Sequence, residues 1–176
     1  MSDPFAILGL EPRFDLDLGA AEARHRELSR TLHPDRHAGK PSAERRQALS
    51  SAIEVNDALR VLKDPVRRAE ALLERSGVRP TEEGKEPPAA PEFLMDVLEL
   101  REELSAAQRS ADMTRVKSVA KQVEVRQSAL ERELGQAFLE LAAAPAQAER
   151  IARKLGELRY FRRLLAEARA IEDELA

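Results

Sequence analysis

The chain has 176 residues, with 29 Lys+Arg against 32 Asp+Glu, a formal net charge of −3, 35% charged and 43% hydrophobic residues. That is enough apolar material for packed cores in one domain or two small ones. The absence of Cys excludes disulfides, thiolate metal sites, Cys-ligated iron–sulfur clusters and thiol catalysis for this chain. Aromatics make up only 3%, whereas 29 Ala and 24 Leu favour helix, so an all-α protein is expected. Arg outnumbers Lys 23 to 6, but basic and acidic residues are interspersed, and no phosphate-tracking stripe points to a nucleic-acid partner. No apolar run approaches the roughly 18–20 residues of a membrane span, and the first residues lack a signal-peptide pattern, so no membrane partner and a cytoplasmic location are expected.

Residues 4–10 read as a short helix, with Asp3 as N-cap, Pro4 at the first helical position and Gly9 helping to end it. From 19 to 32, Ala21, His25, Leu28 and Leu32 follow +4, +3, +4 spacing and leave Arg24, Arg26 and Arg30 on the outer face. His33-Pro34-Asp35-Arg36 then breaks the helix, because Pro34 disfavours the helical region at His33, and Gly39 with Pro41 delays resumption; the segment reads as an exposed loop. Ser42 is the expected N-cap of the next amphipathic helix, with one apolar row at Leu49, Ile53 and Asn56 and another at Ala52, Val55, Leu59 and Leu62. It should pack antiparallel on the preceding helix. Asp64-Pro65 ends it and starts a helix over 66–75, with Ala69, Leu72 and Leu73 inward and Gly77 as terminator.

Residues 77–91 hold four of the ten prolines and two of the seven glycines and read as a linker. Residues 1–76 carry 13 basic and 13 acidic side chains and the remainder 16 and 19, so neither half is a charged tail. After the linker, three long helices are expected at about 91–109, 112–142 and 146–174, with Asp112 and Pro145 marking starts. Val116, Ala120, Val123, Gln127, Leu130, Leu134, Ala137 and Leu141 form one +4/+3 seam, and Ile151, Leu155, Leu158, Arg162, Leu165 and Ala168 another, as in an antiparallel bundle.

Two constellations stand out. In the first, the loop proline presents His33 and Asp35 outward beside a basic helix face, an arrangement suited to an acidic partner surface. The plain alternative is a helix stop with a turn cap and a solvated imidazole. A nitrogen and oxygen metal cluster of His33, Asp35 and His37 is disfavoured, because Pro34 breaks the spacing that would bring both imidazoles to one helix face. In the second, Phe93, Val97, Leu100 and Leu104 suffice to pack a helix, which leaves Leu94, Met95 and Leu98 as a surplus apolar row flanked by Glu99 and Glu102. This row reads as an exposed docking patch, with a wide bundle core as the alternative. Tyr160 and Leu164 fall off their helix's seam, Tyr160 being a typical interface residue, whereas Phe161 serves the core. His25, at the edge of an apolar row, reads as packing.

The helix order around the HPD tripeptide resembles the J-domain over residues 3–76. With Ile53 to Leu59 (IEVNDAL), Pro65 to Leu73 (PVRRAEALL), the 93–104 segment and LRYF at 158–161 in the same order, the chain resembles the HscB family, the Jac-type J-proteins of iron–sulfur cluster biogenesis, over nearly its whole length. The resemblance implies a J-domain over 1–76, the proline-rich linker over 77–91, and a three-helix scaffold-binding bundle over 92–176. It implies docking on a DnaK/HscA-class chaperone, whose ATPase is stimulated, through His33, Pro34 and Asp35 with Arg26, Arg30 and Arg36. It also implies delivery of the IscU-type scaffold, bound through Leu94, Met95, Leu98, Glu99, Glu102 and Tyr160. Arg36 stands where Lys is commoner, and Tyr160 where Phe is frequent. No cofactor and no resident metal are implied. The alternative is a J-protein for another client whose bundle seams drive self-association. An enzyme is not expected, since no glycine-rich phosphate loop, no nucleophile with a matched base and no catalytic carboxylate pair is visible.

Overall fold

The structure, a computed structural model, describes residues 3–141 and 147–176. Among the described residues there is no strand, and no helix is long and apolar enough to cross a membrane. The chain divides into two compact units, Met1–Arg79 and Pro80–Ala176.

In the first unit, α1 (Pro4–Leu8) is opened by the Asp3 carboxylate, which accepts from the Phe5 and Ala6 amides at 2.9 and 3.4 Å, and by Pro4, whose missing N–H is no loss there. It ends at Leu8, two residues earlier than the sequence reading. Phe5 and Leu8 are buried where α1 packs on α4. α2 (Leu18–Thr31) starts on the Asp17 cap and carries the fully buried Ala21, with His25, Leu28 and Leu32 half-buried below it. Its expected outer-face Arg24 instead turns back: Nε donates to the Leu8 carbonyl at 3.3 Å and the guanidinium pairs with Glu27. His25 ties α2 to the long helix α4, with Nε2 2.8 Å from Asn56 Oδ1, so its role is a polar clasp between helices.

The HPD segment is not purely loop. Residues Pro34–His37 form a single turn, α3, too short for periodicity to reveal. α4 (Ser42–Lys63) has Pro41 at its N-cap position and no side-chain cap, so Ser42 is the first helical residue and not the cap. Its buried face is Ala48, Val55, Ala58 and Leu62, while Leu49 and Ile53 are 57% and 54% exposed. The expected Leu49–Ile53 row therefore faces solvent, while the other expected row faces inward: Val55 and Leu62 are buried and Ala52 and Leu59 half-buried, with Ala48 and Ala58 completing the buried face of a helix that packs on both α1 and α2. α5 (Pro65–Arg75) starts on the Asp64 cap and buries Val66, Ala69, Leu72 and Leu73. It closes on Gly77 at φ +76°, where the Val78 amide reaches back to the Leu73 carbonyl at 2.9 Å; a side chain at this left-handed position would be strained.

The second unit contains α6 (Pro91–Arg109), α7 (Met113–Leu141) and α8 (Gln147–Leu175), each packed on the other two. Within the described residues the expected and observed bounds agree to within a residue, whereas the expected end at 142, the expected start at 146 and Pro145 lie outside them. Cross-helix polar pairs give the directions. Glu140 meets Gln147 (2.8 Å), and Glu133 meets Lys154, so α7 and α8 run antiparallel; Arg101 meets Glu167 (3.6 Å) and Gln108 meets Glu174 (3.1 Å), so α6 and α8 run parallel. This is an up-down-up three-helix bundle. Both seams are largely buried, but Arg162 is exposed and Gln127 is half-buried, bonding Glu131 at 2.8 Å. Leu164, expected off the seam, is only 1% exposed, because α8 faces two helices and buries a band that takes in Leu158, Phe161, Leu164 and Leu165.

The segment preceding α6 does more than connect. Arg159 of α8, itself buried, pairs with Glu86 and reaches the Thr81 carbonyl at 3.3 Å, while Arg163 meets Glu83 at 2.6 Å. Burial pushes the Glu86 carboxyl up, but its own amide, Arg159 and the Gly84 amide together hold it below the usual range. A depressed carboxyl contributes stability above its unfolded pKa of about 4.3, and that contribution fades as pH falls through the lower folded value. Gly156, in the interior of α8, sits beneath this strap: a Cβ there would meet Glu86 Cβ at 3.1 Å. Ala is ordinarily worth about 1 kcal/mol over Gly within a helix. Because Glu86 is held by Arg159 and cannot retreat freely, Gly156→Ala is expected to forfeit that gain and lose about 1 kcal/mol, lowering Tm by about 2–4 °C. A calorimetric scan showing a raised Tm would contradict this packing.

Candidate functional site

At the end of α2 the chain must leave the helix before Pro34. His33 takes extended backbone and becomes the N-cap of α3, its Nδ1 accepting from the Asp35 amide at 3.3 Å. The Arg36 amide closes the turn on the His33 carbonyl at 3.0 Å, and His37 Nε2 lies 3.1 Å from the Thr31 carbonyl. The backbone of the tripeptide is thereby fixed while its side chains face solvent. Asp35, with 90% of its side chain exposed, has a carboxylate oxygen 3.5 Å from His33 Nδ1. Pro34 is exposed between them.

Arg26, Arg30 and Arg36 are all exposed around this turn. Among the described residues, Arg30 and Arg36 have no carboxylate partner, and Arg26 has only a 3.9 Å approach to Glu22. Glu22 is already committed: the ammonium of Lys63, bonded at 2.8 Å, holds its carboxyl below the ordinary range. Residues 26–46 hold six basic side chains against three acidic ones, in a chain of net charge −3. The turn therefore sits in a locally positive field, suited to an acidic surface.

The second cluster lies on α6 and α8. Val97, Leu100 and Leu104 are buried in the bundle, and the row beside them is not: Leu94, Met95 and Leu98 are 47%, 57% and 51% exposed, with Glu99 and Glu102 exposed alongside. Neither carboxylate has an ion pair among the described residues. Phe93, half-buried at the start of α6, bridges to α8, its ring edge-on to Phe161 (centroids 5.2 Å) and to Tyr160 (6.0 Å). Phe161 is core, whereas Tyr160 is 39% exposed. The six residues singled out from the sequence are thus all exposed, five of them on α6 and Tyr160 on α8, where the Phe93 ring joins it to the start of α6. Arg163, stacked over the Tyr160 ring at 4.6 Å, and its partner Glu83 were not foreseen. Helical periodicity carries no signal for a pair 80 residues apart.

Known proteins resemble this chain in sequence and fold. The family model described as the HSCB C-terminal oligomerisation domain matches residues 89–169. A co-chaperone protein HscB homolog of Neisseria meningitidis is 36% identical over 138 residues, covering 78% of this chain and 82% of that protein. The chain belongs to the HscB co-chaperone family. The structure of the chaperone HscB from Vibrio cholerae matches with a TM-score of 0.79 at 30% identity, covering 99% of both chains. The crystal structure of human co-chaperone protein HscB, at 22% identity, shares the fold, with a TM-score of 0.82 over 97% of this chain and 82% of the human one. Like them, this HscB-family chain joins an N-terminal J-domain to a C-terminal helical bundle.

Proposed function

We propose that the protein is an adaptor: its J-domain stimulates the ATPase of a DnaK/HscA-class chaperone while its bundle delivers an IscU-type iron–sulfur scaffold, assisting cluster transfer. The observation that carries this reading is the presence in one chain of two outward-facing surfaces of opposite chemistry. One is a rigid HPD turn in a positive field, and the other an apolar row rimmed by carboxylates. The first offers His33, Pro34 and Asp35 with Arg26, Arg30 and Arg36 to the chaperone. The second offers Leu94, Met95, Leu98 and Tyr160 as apolar contact, with Glu99 and Glu102 orienting a basic partner edge.

No bond is made or broken by the adaptor itself. It shifts the chaperone's conformational equilibrium by contacting one state better than another, and it raises the scaffold's effective concentration beside that chaperone. Titration calorimetry with the purified scaffold tests the second half, and a dissociation constant in the micromolar range is expected. Absence of binding at tens of micromolar would overturn it. A second reading draws on the oligomerisation named in the matching family's description: another copy of the chain covers the exposed row. Sedimentation separates the two, since a stable dimer that dissociates on Leu94→Ala with Leu98→Ala favours self-association and a monomer favours the scaffold.

A further inference from the structure

Tyr160 is the least exposed of the four apolar members of the proposed scaffold face and is held by ring contacts on two sides. Its ring meets Phe93 edge-on at 6.0 Å, and the Arg163 guanidinium lies 4.6 Å from its centroid. Arg163 follows Tyr160 by three residues, so it lies along the same side of α8. Its Nη1 is in turn held by Glu83 Oε1 at 2.6 Å. Glu83 is fixed from below, because the strap that carries it is anchored by the buried Arg159, which binds Glu86 and the Thr81 carbonyl, over the gap left by Gly156. The chain of contacts therefore runs from a buried ion pair to an exposed aromatic ring.

From this geometry we propose that Glu83 and Arg163 are positioning residues of the client face: the strap clamps Arg163 over one side of Tyr160 and so sets the ring in its docking orientation before the client arrives. The inference rests on the reading of that face as the scaffold site. Its physical content is preorganisation. An aromatic side chain already immobilised loses less freedom on binding, and a guanidinium over the ring restricts its rotation. An exposed Glu–Arg pair by itself contributes little to stability, so the effect should appear in binding and in the state of the ring, not in the melting temperature.

The chain has a single Tyr and no Trp, so one fluorotyrosine label gives one fluorine resonance that reports Tyr160 alone. In the free full-length protein, Arg163→Ala should move and sharpen this resonance, Glu83→Gln should move it the same way by less, and Arg163→Lys should restore part of the wild-type position. With purified IscU-type scaffold as the probe, Arg163→Ala is expected to weaken binding by about three- to tenfold, and to add nothing further in a Tyr160→Ala background. Unchanged resonances in both Arg163→Ala and Glu83→Gln would overturn the positioning role. So would unchanged scaffold affinity in both variants while Leu98→Ala still weakens binding, and in that case the scaffold reading itself would stand. If Leu94→Ala with Leu98→Ala leaves affinity untouched, the scaffold reading fails instead, and the client-positioning inference falls with it.

Discussion

Asp35→Asn is expected to abolish stimulation of the DnaK-class partner's ATPase, returning turnover to its basal rate, without unfolding the protein. The carboxylate does no structural work that its amide isostere would forfeit. Its side chain is 90% exposed, and the cap of α3 is formed by His33 Nδ1 accepting from the Asp35 backbone amide, which the substitution retains. Stability should therefore change by less than about 0.5 kcal/mol. What is lost is a negative charge at a fixed position beside an imidazole and among exposed arginines, and an amide supplies neither that charge nor the same acceptor strength. Thermal melts followed by circular dichroism check the structural half, and a variant that melts early would show that Asp35 supports the fold.

The second large effect is at the other surface. Leu94→Ala combined with Leu98→Ala should leave chaperone stimulation intact and weaken scaffold binding by roughly 30- to 160-fold, as expected when two leucine side chains lose about 2–3 kcal/mol of interfacial burial. Both residues are about half exposed on α6, and Val97, Leu100 and Leu104 hold the helix in the bundle without them. Helicity should persist, since Ala is at least as good a helix former as Leu. Titration calorimetry measures the affinity, and a marked loss of ellipticity would place the row in the core.

How much of this could be read from the residues depended on whether the signal was local. The three bundle helices were legible because +3/+4 seams persist for several turns, and the α6 patch was legible as a surplus: one helix cannot bury two apolar rows when its first row already fills the interface. On α4 the same reasoning offered two rows, of which the one through Val55 and Leu62 is buried and the one through Leu49 and Ile53 is exposed; which row faces inward depends on where the neighbouring helices lie, and periodicity does not contain that. Leu164 was misjudged for a related reason, since a helix that touches two neighbours buries a band wider than a seam. The HPD turn was recognisable as a breaker, but its four-residue helix was below the length at which periodicity speaks. Arg159 with Glu86, and Arg163 with Glu83, were invisible because they join residues 73 and 80 positions apart across a stretch whose composition announces only irregular backbone.

Coupling of a chaperone to a client through two separate surfaces of one chain is tested most directly by the steady-state ATPase of the cognate DnaK/HscA-class chaperone with this protein and the IscU-type scaffold added singly and together. More than additive stimulation is expected when both are present, reduced to the additive level by Leu94→Ala with Leu98→Ala and removed by Asp35→Asn. Stimulation that is indifferent to the scaffold, or no stimulation at all, would contradict it.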